Sequence, residues 1–246
     1  MAKIFDTPFS STIGSAKVSA IGIYALGAAY PNGIPNRLDI IDGALRSSLY
    51  KDDAYTNGGP RSEVEIGTFP TNSGTCWSTF DFMLPSNWSY TKLVMIGSWY
   101  PTYDGGDAAK HVTIGLRLLG TTFLVIVPDS LPSETDSGKT IARMDLERGR
   151  WYSLCIRVGL ATDDTGFREV YVDGIPISRE FNIPTTYVDA VGPYLKAGMY
   201  DGSHNNDYVT PLQIWLRNFK MWTGNEGFSS VLGTVPKLSG SALLLD

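Results

Sequence analysis

Apolar and polar residues alternate along most of this chain at the two-residue period of a pleated strand, not at the longer period of a helix. The clearest case is His111 to Leu119, where Val112, Ile114, Leu116 and Leu118 share one face and His111, Thr113 and Arg117 the other. Cys76 to Met83 sets Phe80 and Phe82 against Trp77, Thr79 and Asp81, and Trp151 to Val158 sets Tyr152, Leu154, Ile156 and Val158 against Ser153, Cys155 and Arg157. Lys92 to Trp99 and Thr121 to Val127 are almost continuously apolar, as expected of buried strands, and Leu212 to Trp222 reads as a long aromatic strand. Turn signals separate these runs: Pro31-Asn32-Gly33, Leu84-Pro85-Ser86, the polar loop from Pro128 to Lys139, and Asp173-Gly174 closing a hairpin. Leu38 to Leu49 fits a short helix or a strand pair, with Gly43 weakening the helix. Many short strands without a βαβ rhythm predict an all-β protein, an antiparallel β-sandwich of jelly-roll type with at most one or two short helices. No repeat or linker breaks the chain. It reads as one domain over 1–246, with residues 1–30 either an arm or the first strands and 223–246 a tail whose last part is small and apolar.

Two stretches carry the most chemistry. In Arg61 to Ile66 the pleat sends Arg61, Glu63 and Glu65 to one face and Val64 and Ile66 to the other. In Tyr194 to Tyr200, Tyr194, Lys196, Gly198 and Tyr200 share a face, and Gly198 leaves a bare spot between a cation and a phenol. Such a face is suited to a polar ligand or simply faces water.

Composition narrows the partners. With 20 Lys and Arg against 25 Asp and Glu, a net charge of -5, a pI near 5.1 and no basic run, the chain does not look like a nucleic-acid binder. An acidic polymer would need a local basic groove. The two cysteines, Cys76 and Cys155, have no metal-ligand spacing and read as buried free thiols unless their strands prove to be neighbours. His111 and His204 are the only histidines, so neither a metal site nor a cofactor is expected. No run is long and apolar enough to span a bilayer. Val18 to Ala29 has the character of a signal-peptide core, but its leader is long and holds Asp6, so no clear signal peptide is read.

Gly59-Pro60-Arg61-Ser62-Glu63-Val64, Trp77 to Trp88 with its Leu84-Pro85 corner, Gly149 to Tyr152, Val170 to Gly174 and Tyr194 to Tyr200 resemble, in order, the strands of jelly-roll polysaccharide lyases. That group includes alginate and glucuronan lyases and has a concanavalin A-like sandwich. The resemblance covers about residues 38–222. It implies β-elimination on a uronic-acid polymer: the carboxylate is neutralised, a base removes the C5 proton, and an acid protonates the departing oxygen. Arg61 would bind the carboxylate through its two-pronged guanidinium, Lys196 would add charge, and Tyr200 matches the family's catalytic tyrosine. A phenol ordinarily titrates near about 10, so it needs cationic neighbours to act as a base. The family's Gln-x-His element is missing, because the matching strand, Val94 to Tyr100, holds neither residue. His111 either stands in for it or is an incidental surface histidine.

Two functional classes follow. The first is a glycan-binding or structural protein of a phage virion, built on a lyase-like sandwich with an incomplete site. Trp99, Tyr100 and Tyr103 would stack on sugars or pack as ordinary loop residues, and Arg61, Lys196 and Arg117 would meet acidic groups. Glu63, His111 and Arg157 complete this polar inventory. The second is an active lyase working through Arg61, Lys196 and Tyr200. An architectural capsid or tail protein, its polar face covered by a neighbouring subunit, is a third. The expected partner is an acidic polysaccharide or host surface glycan, with other virion proteins or further copies of the chain left open. A virion surface or an extracellular location fits a chain that resembles secreted enzymes without an evident signal peptide.

Overall fold

The computed structural model describes residues 3–7, 37–51, 53, 59–102, 111–129, 131, 138–202 and 210–224. These form strands β1 (Lys3–Thr7), β2 (Leu38–Ile41), β3 (Ala44–Leu49), β4 (Arg61–Thr68), β5 (Gly74–Met83), β6 (Leu93–Tyr100), β7 (Ile114–Leu119), β8 (Thr122–Pro128), β9 (Gly138–Asp145), β10 (Trp151–Leu160), β11 (Gly166–Val172), β12 (Ile175–Ile183), β13 (Tyr194–Tyr200) and β14 (Leu212–Thr223). One sheet has the order β12-β11-β10-β5-β14-β3-β2, with β1 pairing along β14; the other has the order β4-β13-β6-β7-β8-β9. All pairings are antiparallel. The jelly-roll sandwich expected from the alternation is therefore present, with no helix among the described residues. Beyond β1, the arm to residue 36 and the tail from residue 225 lie outside those residues.

Leu38 to Leu49 is a strand pair. Asp42 and Gly43, at φ 51° and 76°, form a two-residue turn with both φ values positive, which reverses the chain where a helix would have to continue. Asp173 and Gly174 make the same kind of turn between β11 and β12, as their sequence predicts. The two sheets share one core. Phe80, Phe82, Leu154, Ile156 and Leu216 from the larger sheet meet Val64, Ile96, Leu116, Val125, Leu195 and Met199 from the smaller. Each such side chain, fully buried, contributes roughly 1.5–3 kcal/mol, so the alternation fixes which residues face outward.

The cysteines are free and buried. They stand on adjacent strands but on opposite faces of the larger sheet: Cys76 belongs to the shared core, while Cys155 lies across from Thr79 on the outer face. Burial raises both thiols, Cys155 to about 12 with help from Glu169.

Candidate active site

The outer face of the smaller sheet carries a cleft of about 540 Å³, lined by Arg61, Glu63, Met95, Ser98, Tyr100, His111, Val112, Arg117, Tyr194, Lys196 and Tyr200. Strand register lays these residues out in rows. Arg61 pairs with Tyr200, Tyr200 with Met95, and Met95 with Arg117. Further along, Glu65 pairs with Lys196, Lys196 with Ser98, and Ser98 with Gly115; beyond them Tyr194 pairs with Tyr100. Four strands thus deliver cations and phenols to one hollow, with the small side chain of Ser98 between Lys196 and Gly115.

Local backbone irregularities shape the hollow. Gly198, at φ 124°, forms a bulge, and a Cβ there would stand 2.2 Å from the Ser62 carbonyl oxygen. On β6 a bulge turns two successive residues inward: Ile96 is in the core, and a Cβ on Gly97 would meet Leu116 and Phe80. The β6 side chains that reach the cleft are therefore Met95, Ser98 and Tyr100.

Tyr200 is held closely. The Arg61 guanidinium lies over its ring at 4.4 Å. Gly59 and Gly202 flank the ring; a Cβ would come 3.0 Å from Cε2 at the first and 3.2 Å from the hydroxyl at the second. Lys196 sits over the rings of Tyr100 at 4.7 Å and Tyr194 at 5.4 Å. Glu63 is only 2% exposed, and its Oε2 lies 3.5 Å from Arg61 Nη1 while accepting no hydrogen bond. Burial pushes the Glu63 carboxyl up against the opposing pull of Lys196 and Arg61. Burial also pushes Glu65 up, and pulls Lys196 down despite the neighbouring carboxylates. The site holds charge that water has largely left, so an anionic ligand would meet strengthened electrostatics there.

Most of the residues singled out in the sequence meet here: Arg61, Lys196, Tyr200, Glu63, Tyr100, His111 and Arg117. Trp99 does not. It is 0% exposed, tilted against the Phe69 ring, with Nε1 donating to Ser78 Oγ at 2.9 Å, because it has the inward parity of β6. Arg157 is on the outer face of the other sheet, donating to Glu169 at 2.6 Å. Tyr103 lies outside the described residues. Val112 and Thr113 exchange their expected places: Val112 lines the cleft and Thr113 is buried. Both the amide and the hydroxyl of Thr113 donate to the Trp99 carbonyl, at 2.9 and 3.0 Å, so regular alternation starts only at Ile114. Ser98 and Met95 were missed by sequence reasoning. The parity that buries Trp99 would have found Ser98, whereas Met95 depends on a bulge the sequence does not announce.

Among the described residues no cluster of His, Cys, Asp and Glu could hold a metal ion, and no helix is long and apolar enough to cross a membrane.

Comparison with known proteins agrees with this architecture. The structure is similar to that of an endo-β-1,4-glucuronan lyase from the fungus Trichoderma reesei, at 18% identity and TM-score 0.63, covering 78% of this chain and 85% of that one. It is similar to an alginate lyase from Pseudomonas aeruginosa at 16% identity and TM-score 0.57, covering 78% and 87%. A family 7 alginate lyase in complex with substrate gives 16% identity and TM-score 0.58, over 78% and 83%. At these identities the likeness establishes the fold. No curated protein matches the sequence. The polysaccharide lyase family model matches residues 41–223, from the last residue of β2 to the end of β14. Spanning well over half the sequence and both sheets of the sandwich, that match makes this chain a member of the polysaccharide lyase family.

Proposed function

We propose that this protein is an active polysaccharide lyase that cleaves an acidic, uronate-containing polymer by β-elimination. The observation that carries this reading is the convergence of Arg61, Lys196, Arg117, Tyr200 and His111, from separate strands and the segment before β7, on one cleft. The solved relatives include lyases of glucuronan and alginate, both uronate polymers.

The chemistry follows from what these groups can do. A uronate carboxylate set against the Arg61 guanidinium has its charge countered, which acidifies the neighbouring C5 proton. Tyr200 in its phenolate form, with a cation over its ring, is placed to accept that proton. The C5–H electron pair becomes the C4=C5 double bond, the C4–O bond breaks, and the departing oxygen takes a proton from Tyr200 or His111. Protons and electrons balance without water or an external oxidant.

A glycan-binding protein without turnover is the competing reading, and one observation favours it: β6 presents Met95 and Ser98, with neither an amide nor an imidazole. His111 in the cleft supports turnover by offering the imidazole from another segment.

The test is the ultraviolet absorbance of the unsaturated product during incubation with glucuronan, alginate and other acidic polysaccharides. Wild type should generate it, and Tyr200→Phe should lower the rate by about 10²–10⁴, the usual contribution of a positioned proton-transfer group. No absorbance rise with any polymer would sink turnover and leave binding.

A further inference from the structure

Arg117 differs from the other arginines buried in this molecule. Arg37 is paired with Asp53, Arg168 with Glu180 and Arg157 with Glu169. Arg117 stands on the cleft, partly buried, and its side chain has neither a hydrogen bond nor an ion pair among the described residues; its Nε is sealed from solvent like those of Arg157 and Arg168, but no other nitrogen of its guanidinium meets a counter-ion. A guanidinium removed from water without a counter-ion is costly, and proteins ordinarily pair such a charge. The fold leaves it no alternative face, because Leu116 and Leu118 on either side point into the core. The stem runs over Gly115, where a Cβ would lie 3.7 Å from Arg117 Nε, and so leans toward the open middle of the cleft.

Its place relative to the other groups is set by register. Arg61, Tyr200, Met95 and Arg117 form one row across β4, β13, β6 and β7. With neighbouring strands about 4.8 Å apart, the two arginine backbones stand roughly 14 Å from each other, with Tyr200 between them. Arg61 already leans onto Tyr200 and faces Glu63. Arg117 has no such commitment among the described residues.

Resting on the lyase reading, we infer that Arg117 is a catalytic residue, the second guanidinium that binds the carboxylate of the sugar undergoing elimination. The substrate carboxylate supplies the counter-ion the folded chain withholds. As C5 loses its proton, negative charge accumulates on both carboxylate oxygens, and cations on two sides of the ring stabilise that state more than the bound substrate. Arg117 therefore does from β7 what neither Met95 nor Ser98 can do from β6.

The experiment compares wild type, Arg117→Met and Arg117→Lys on glucuronan and alginate, with thermal unfolding in parallel. Arg117→Met should lower kcat/KM by about 100-fold or more, mostly through kcat, and Arg117→Lys should restore part of it. Neither should lower Tm, since removing an unpaired cation orphans no partner. A residue with a merely structural role would show the reverse, a lower Tm with kcat preserved. If wild type turns over polymer and Arg117→Met stays within about 3-fold of it, the inference fails while the lyase reading stands. If wild type turns over no acidic polysaccharide of the panel, the lyase reading fails, and gel retardation by the same polymers decides the anion site. Retardation equal to wild type in Arg117→Met then overturns the inference as well. Retardation lost in Arg117→Met, and lost for wild type on carboxyl-reduced polymer, supports the carboxylate site.

Discussion

The two outward faces of this sandwich are both polar, both rich in arginine and aromatic residues, and nearly indistinguishable as alternating sequence. On the larger sheet the charges are matched. Arg157 donates to Glu169, Tyr171 donates to the same carboxylate, Arg179 lies 3.5 Å from it, and Arg217 pairs with Asp81. On the smaller sheet Glu63 is buried without a hydrogen bond to Oε2 and Arg117 has no counter-ion among the described residues, whereas the unpartnered Nε atoms of Arg157 and Arg168 on the larger sheet belong to guanidiniums that pair through Nη1. Satisfied networks stabilise a fold, whereas unsatisfied buried groups cost stability and persist where a ligand completes them. What separates the two faces is therefore whether their buried charges have counter-ions, and not their polarity.

Substitutions on the two faces should accordingly have opposite signatures. Among the charged residues of the two faces, the largest effect is expected from Arg61→Ala. Losing the guanidinium over Tyr200 should cost about 10²–10³ in kcat, the usual magnitude for an electrostatic group aimed at developing charge, with a small change in Tm. Steady-state rates on the best polymer together with thermal unfolding would check it; a variant with full activity would mean that this face is not where the carboxylate binds. Next in size is Arg157→Met on the opposite face. It leaves the buried Glu169 with a weaker set of partners and should lower stability by roughly 1–3 kcal/mol by denaturant unfolding, with lyase activity unchanged. Loss of activity in the folded variant would erase the contrast between the faces.

Much of this was legible in the sequence. The alternation that sends Leu195, Ala197 and Met199 into the core also turns Lys196 and Tyr200 toward the cleft, so the sandwich and most of the cleft followed from a two-residue period. Errors arose where that period breaks. Trp99 is an exception, since it obeys the period, which turns it into the core while its neighbour Tyr100 faces the cleft. Met95 reaches the cleft through the β6 bulge, and Val112 because the chain before β7 is tied to the Trp99 carbonyl. Arg157 obeys its parity, but parity cannot tell which of two sheets a strand joins. Pairing partners come from strands distant in the chain, as Arg217 and Asp81 show, so the difference between the faces was not available before the topology was known.

The smallest expected effect is the sharpest test of the contrast. Burial raises the Glu63 carboxyl above its ordinary value, even with Arg61 and Lys196 beside it and only Gly198 opposite. Between the ordinary carboxylate value and the raised one, the folded chain holds a proton that the unfolded chain has released. Stability therefore falls as pH rises through that window, and the penalty stays in place above it. Glu63→Gln keeps the shape and removes the titration. Its Tm should match wild type below the window and exceed it at neutral pH, with the gap opening as pH rises between those limits. Glu65 titrates in the same direction but is present in both proteins, so it cancels from the difference. Catalysis should move the other way, because Arg61 loses the carboxylate that it faces at 3.5 Å. A substitution that raises Tm while lowering kcat marks a group retained for its function at the expense of stability. A Tm difference independent of pH, or a less stable Glu63→Gln, would show that Glu63 is a satisfied structural acid and that the two faces are alike after all.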